Sequence, residues 1–276
     1  MRPVDGRGAP VCAPRPAAQY ARTVSTDPII RPRPAPGAGL RLFVLHHAGG
    51  SHVPYRAWAG LLPREWELCL LEAPGRATRP GRPHTTAAEL AETFLDDLRP
   101  HLGAPYALFG HSMGALTAYE LTLALRDRGL PLPRWLGLSA INPPEHHPRR
   151  EQRFGLPDDE LRDAVVALGG TPREVLEHPE LWQLIEPVLR ADLRLAECWR
   201  PHADAAPLPV PLSAFAGDAD PYAFPHLMHT WAARTTRFRG VRTLSGGHFY
   251  FLPDPAPLVA EITAAIRAEE GVPSAR

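Results

Sequence analysis

Tyr106-Ala107-Leu108-Phe109-Gly110-His111-Ser112-Met113-Gly114-Ala115 runs from an apolar strand through a tight turn into a helix. The first four residues are a short run of the kind that fills a buried strand. From Met113 onward, Leu116, Tyr119, Glu120 and Leu123 are spaced for one helical face, which predicts a helix over 113–128. Between the two lies a Gly-x-Ser-x-Gly turn. A chain that passes from strand to helix so abruptly holds the serine in a strained backbone conformation, and glycines on either side remove side chains that would clash there.

Outward from this turn the pattern repeats. Apolar runs at 42–45, 67–71, 106–109, 135–139 and 211–216, with a further strand expected over 236–244, are separated by helical patterns at 55–62, 87–102 and 113–128, and a last helix is expected over 256–268. Strands alternating with helices predict an α/β fold with a mostly parallel sheet covered on both faces. The alternation breaks from Ile141 to Arg200, where only helical pattern occurs. An all-helical insertion at about 141–200, before the sheet resumes, reads either as a lid over the C-terminal edge of the strands or as a subdomain that only adds stability. Residues 1–39, exemplified by Arg31-Pro32-Arg33-Pro34-Ala35-Pro36, lack periodicity and are poor in large apolar residues, so a disordered or loosely docked arm is expected there. The folded domain is then 40–270, with 271–276 as a tail.

A serine hydroxyl needs a base, and in the α/β-hydrolase fold the order along the chain is Ser, then Asp or Glu, then His. Ser245-Gly246-Gly247-His248-Phe249 follows the last predicted strand and precedes the last helix, which makes His248 the candidate base for Ser112. The acid is expected just after a late strand, in Gly217-Asp218-Ala219-Asp220-Pro221. Asp220 is favoured because Pro221 would stiffen the turn after it, with Asp218 as the alternative. An oxyanion-binding pair would come from the N–H of Met113, directly after the serine, and from the loop His47-Ala48-Gly49-Gly50-Ser51, where the N–H of Ala48 is the second donor. His146-His147 has no partner at metal-ligand spacing, and Arg149-Arg150 with Arg153 reads as a solvated face.

Composition excludes other chemistries. All 30 basic residues are arginine, balanced by 30 acidic ones. Without lysine there is no P-loop, no pyridoxal Schiff base and no Ser-Lys dyad. Zero net charge gives no general attraction to nucleic acid or to an anionic membrane. Cys12, Cys69 and Cys198 are too dispersed for a disulfide framework or a zinc site, so no metal or other cofactor is expected. The chain shows neither a signal-peptide core nor an apolar stretch of about 18 residues, and a cytoplasmic protein is expected. Nothing in it demands more than a monomer.

At these motifs the sequence resembles the type II thioesterases, free-standing editing enzymes of polyketide synthases and non-ribosomal peptide synthetases. The likeness runs from about Leu40 to Ala268. It is carried by His47-Ala48-Gly49-Gly50-Ser51, Ala73-Pro74-Gly75-Arg76, Leu108 to Ala115, Pro187-Val188-Leu189-Arg190-Ala191-Asp192 and Gly246-Gly247-His248-Phe249. The resemblance implies hydrolysis of acyl groups stalled on the phosphopantetheine arm of acyl or peptidyl carrier proteins, and a helical lid guarding the acyl chamber. His46 departs from the family pattern, in which proline commonly precedes His-Ala-Gly-Gly. The same serine, acid and base also suit a carboxylesterase or an acyltransferase, whereas a carrier-binding protein without activity would have no use for the complete set.

Overall fold

The computed structural model describes residues 28–76, 78–147, 152–200, 202 and 205–270. Its strands are β1 (Ile29–Ile30), β2 (Leu40–Leu45), β3 (Trp66–Leu71), β4 (Tyr106–His111), β5 (Leu136–Ser139), β6 (Leu208–Gly217) and β7 (Thr235–Leu244). They form one sheet in the order β1-β3-β2-β4-β5-β6-β7, parallel throughout except for β1, which pairs antiparallel with β3. The helices are α1 (Ala87–Leu98), α2 (Met113–Asp127), α3 (Asp158–Leu168), α4 (Arg173–Glu177), α5 (Pro179–Glu197), α6 (Pro225–Met228) and α7 (Ala256–Arg267). The predicted helix over 55–62 is instead a 3-10 helix, Val53–Gly60.

Successive side chains of a strand point to opposite faces, and here both faces are apolar. In β2, Phe43 and Leu45 join a cluster with α1 and α2, while Leu40, Leu42 and Val44 join one with Trp58, Phe251 and α7. In β4, Tyr106 and Leu108 go to the first cluster and Ala107 and Phe109 to the second. That two-sided burial is why the strands read as unbroken apolar runs. The entry to α1 is fixed by Thr86, whose hydroxyl accepts the N–H of Glu89 at 3.2 Å.

The expected disordered or loosely docked arm over 1–39 is corrected at its C-terminal end. Residues 28–39 belong to the fold: Ile29 is buried against the sheet, Arg33 donates to the carbonyl of Pro63 at 3.0 Å, and the N–H of Ala35 donates to Glu67 Oε1 at 3.0 Å. A strand of two residues has no periodicity to read, and it is held by pairing with β3 and by Arg33 reaching the distant carbonyl of Pro63. The remainder of the arm and the 271–276 tail lie outside the described residues.

Within the insertion, α3, α4 and α5 are helical as expected. Leu161, Val165, Leu176, Trp182, Leu189 and Leu193 form a third apolar cluster, apart from the two sheet clusters. Further along α5, Leu195 belongs to the sheet cluster, as does Trp199 just beyond it. One helix thus has its first part in the insertion's own core and its end in that of the sheet. Among the described residues, no helix is long and apolar enough to cross a membrane.

Candidate active site

Ser112 sits between the end of β4 and the start of α2 with φ 55° and ψ −118°, a conformation that costs an L-residue on the order of 1–3 kcal/mol. Its N–H is held by the carbonyl of Ser139 at 2.8 Å. The flanking glycines allow close approach rather than flexibility. A Cβ on Gly110 would stand 2.1 Å from the carbonyl oxygen of Gly114, and one on Gly114 would stand 2.2 Å from that of Leu45. The second glycine therefore seats α2 directly on the end of β2.

His248 approaches from the loop after β7. Its Nδ1 lies 2.9 Å from Asp220 Oδ2 and its Nε2 lies 3.0 Å from Ser112 Oγ. An ionised carboxylate can only accept, so Nδ1 carries the proton and Nε2 presents its lone pair to the serine hydroxyl. Asp220 is itself fixed, its Oδ1 accepting the N–H groups of Tyr222 at 2.8 Å and Ala223 at 3.1 Å. Asp218 faces elsewhere, accepting the N–H of Gly246 at 2.8 Å, and so braces the histidine's loop. The sequence alternatives for the acid are thus distinguished by position, with Asp220 the one brought to the ring.

The other predicted residues converge on the same place. Met113 opens α2, and the first N–H groups of a helix have no helical carbonyl to bond. Ala48 lines, with Ser112 and His248, a cavity of about 70 Å³ whose walls include Ile141, Leu193 and Tyr222. Its N–H lies in the loop after β2. His46 ties that loop to the end of β3: its Nδ1 donates to the carbonyl of His47 at 2.8 Å, and its Nε2 accepts the N–H of Ala73 at 3.2 Å. Acceptance at Nε2 requires a neutral ring, and burial, with Arg76 nearby, holds its pKa well below the usual histidine value. Burial likewise lowers His47 to about 3 and drives His111 well down, with the neighbouring His248 adding to both. The rings around His248 therefore carry no competing charge. No group of three or more His, Cys, Asp or Glu side chains among the described residues is arranged to hold a metal ion.

A family model described as Thioesterase domain matches residues 40–266. The chain belongs to the thioesterase domain family. Thioesterase PikA5 of Streptomyces venezuelae is 33% identical over 250 residues, which are 90% of this chain and 88% of that protein. Among solved structures, the RedJ thioesterase from the prodiginine biosynthetic pathway in Streptomyces coelicolor is 36% identical with a TM-score of 0.78, covering 93% of this chain and 91% of RedJ. The type II thioesterase BorB from the borrelidin biosynthetic cluster is 34% identical, also with a TM-score of 0.78, over 87% of this chain and 97% of BorB.

The site of this thioesterase also holds residues that local pattern left out. Arg153, read as part of a solvated face, lines the cavity and pairs with Glu197 at 2.7 Å. His147 lines it too, sharing a hydrogen bond with the carbonyl of Ala196 at 2.8 Å. Ala140, at the end of β5, contributes another cavity wall from a positive φ of 53°. A lone arginine or alanine gives no local signal of this kind: Arg153 reaches the site through the packing of the insertion, and Ala140 through its place at the end of β5.

Proposed function

We propose that the chain hydrolyses acyl thioesters on the phosphopantetheine arm of acyl or peptidyl carrier proteins, removing aberrant or stalled acyl groups in polyketide or non-ribosomal peptide biosynthesis. The observation that carries this reading is the hydrogen-bonded line from Asp220 through His248 to Ser112, opening on a cavity beneath a helical insertion. The family match and the relation to PikA5 and BorB supply the substrate class.

In this scheme His248 Nε2 takes the proton of Ser112 as Oγ attacks the thioester carbonyl carbon, and Asp220 stabilises the imidazolium that forms. The N–H groups of Met113 and Ala48 receive the developing oxyanion, each worth about 3 kcal/mol in the transition state. Collapse of the tetrahedral intermediate breaks the C–S bond, and the departing sulfur takes the proton from His248. A water molecule, deprotonated by the same ring, then attacks the acyl-serine and releases a carboxylic acid, and the proton returns to Ser112. The scheme calls for no metal and no redox cofactor, since phosphopantetheine enters as part of the substrate. The same reading takes the enzyme to be a cytoplasmic monomer that acts on its carrier partners.

The test is mass spectrometry of carrier protein loaded with acetyl, propionyl or longer acyl groups, incubated with the wild-type enzyme and with Ser112→Ala. Wild type should remove the acyl mass, and the variant should be slower by a factor on the order of 10⁴ or more with its fold intact. Acyl groups that stay on every carrier while oxygen esters are cleaved would make the protein a carboxylesterase. Product that forms only with an added alcohol or amine would make it an acyltransferase.

A further inference from the structure

Helix α5 meets the oxyanion loop at a residue that the scheme above does not use. Asp192 is buried, with its side chain only 1% exposed. Its Oδ2 accepts the N–H of Gly49 at 2.8 Å. Arg76, from the loop after β3, closes on both carboxylate oxygens, with Nη2 to Oδ1 at 2.9 Å and Nη1 to Oδ2. One helical turn earlier, Leu189 covers the same glycine, since a Cβ on Gly49 would stand 2.8 Å from Leu189 Cδ1. Gly49 has φ +68°, where an L-residue would also be strained. Ala48 packs against the insertion's apolar cluster as well as that of the sheet. The segment that carries the Ala48 N–H is therefore gripped from above by a charge-assisted hydrogen bond and by packing, while His46 holds its other end to the sheet.

We propose that Asp192 is a positioning residue for the oxyanion loop: through the Gly49 N–H it fixes the peptide next to Ala48, and Arg76 fixes Asp192. The donor at Ala48 is then in place only while the middle of α5 is seated. The inference rests on the thioesterase reading for the roles of Ala48 and Ser112. A roof that merely encloses the acyl chain contributes alike to bound substrate and transition state, so disturbing it shows in KM. A residue that aims an oxyanion donor acts where charge develops, so disturbing it shows in kcat.

Two variants separate these roles. Asp192→Asn keeps an oxygen that can accept the Gly49 N–H but loses the charge facing Arg76. Asp192→Ala combined with Arg76→Met removes the carboxylate together with the guanidinium that would otherwise be left buried and alone. Each is assayed on an acyl-loaded carrier protein and on p-nitrophenyl acetate. The number of competent sites is counted from the end point of fluorophosphonate labelling of Ser112 by intact mass, which does not depend on the labelling rate. Per labelled serine, kcat is expected to fall about 100-fold in the double variant and about tenfold in Asp192→Asn, with KM within about threefold of wild type. Unchanged kcat per labelled serine in the double variant overturns the inference, as does a loss confined to KM or to the fraction of serine labelled. The thioesterase reading fails separately, by a wild-type enzyme that leaves carrier-bound acyl groups in place. The p-nitrophenyl ester then still reports on Asp192.

Discussion

Asp218 and Asp220 stand two residues apart on one loop, and what each carboxylate meets sets its expected worth. Asp220 holds the Nδ1 proton of His248, so Asp220→Asn should leave the ring free to adopt the wrong tautomer and cost on the order of 10⁴ in kcat. Asp218→Asn keeps an oxygen for the Gly246 N–H and should cost no more than about fivefold, the exposed hydrogen bond being worth about 1 kcal/mol. Steady-state kinetics of both variants on one acyl thioester checks the pair, and equal losses would mean that the loop rather than the carboxylate matters. At this scale the sequence was legible where chemistry imposes a motif. Ser112 announces itself by its glycines and His248 by its place after the last strand, and the structure brings the two together. Pro221 favoured Asp220 over Asp218 in the sequence, and the direction in which each side chain points separates the two. Asp192 was legible only as part of a family stretch, because a carboxylate on an amphipathic helix looks from sequence like a solvent-facing residue.

Elements were read well where their periodicity is their own. The strands and the main helices follow from apolar runs and 3.6-residue spacing, because each is buried on a face that its own residues define. What local pattern does not encode is which elements touch. Gly114 reads as the second glycine of a tight turn, yet its absent side chain is needed because α2 rests on the backbone of β2. Gly114→Ala should therefore give little or no soluble, folded protein, since both the Leu45 and His46 carbonyls stand within 2.6 Å of the added methyl and backbone cannot move aside cheaply. Gly247→Ala, at an equally motif-like position in the histidine loop, meets nothing within 4 Å and should fold normally. Soluble yield and far-UV circular dichroism distinguish the two. The two-residue β1 marks the opposite limit, an element defined wholly by its partners.

Over the whole molecule, buried imidazoles set the response to acid. His46, His47 and His111 are kept neutral in the fold chiefly by burial. An unfolded chain protonates each below about pH 6.5. The unfolded state then binds more protons than the native one, so stability rises with pH, and each ring removes on the order of 1.4 kcal/mol by pH 5.5. For His47 the loss continues down to about 3. Glu72 acts in the opposite sense. Burial raises its carboxyl, so the fold holds that proton more tightly than the unfolded chain, and the resulting stability is present in acid and lost as pH rises. It offsets part of the histidine effect. The urea midpoint should fall markedly between pH 7.5 and 5.5, and a flat profile would show that the three rings do not outweigh Glu72 in this range. None of this coupling could be read from composition, because thirteen histidines in a neutral chain say nothing of which are enclosed.

The division of α5 between two apolar clusters bears on how the molecule breathes. Its end is tied to the sheet, whereas its first part depends on the insertion's small cluster and on α3 and α4. Local opening takes the region with the fewest buried contacts first. The outer part of the insertion is therefore expected to loosen first, at a cost set by a handful of side chains, while β4, the turn at Ser112 and His248 stay folded. Asp192 lies at the inner end of that first part of α5, beside Leu193, so the seating of the insertion and the readiness of the oxyanion loop meet on a single helical turn.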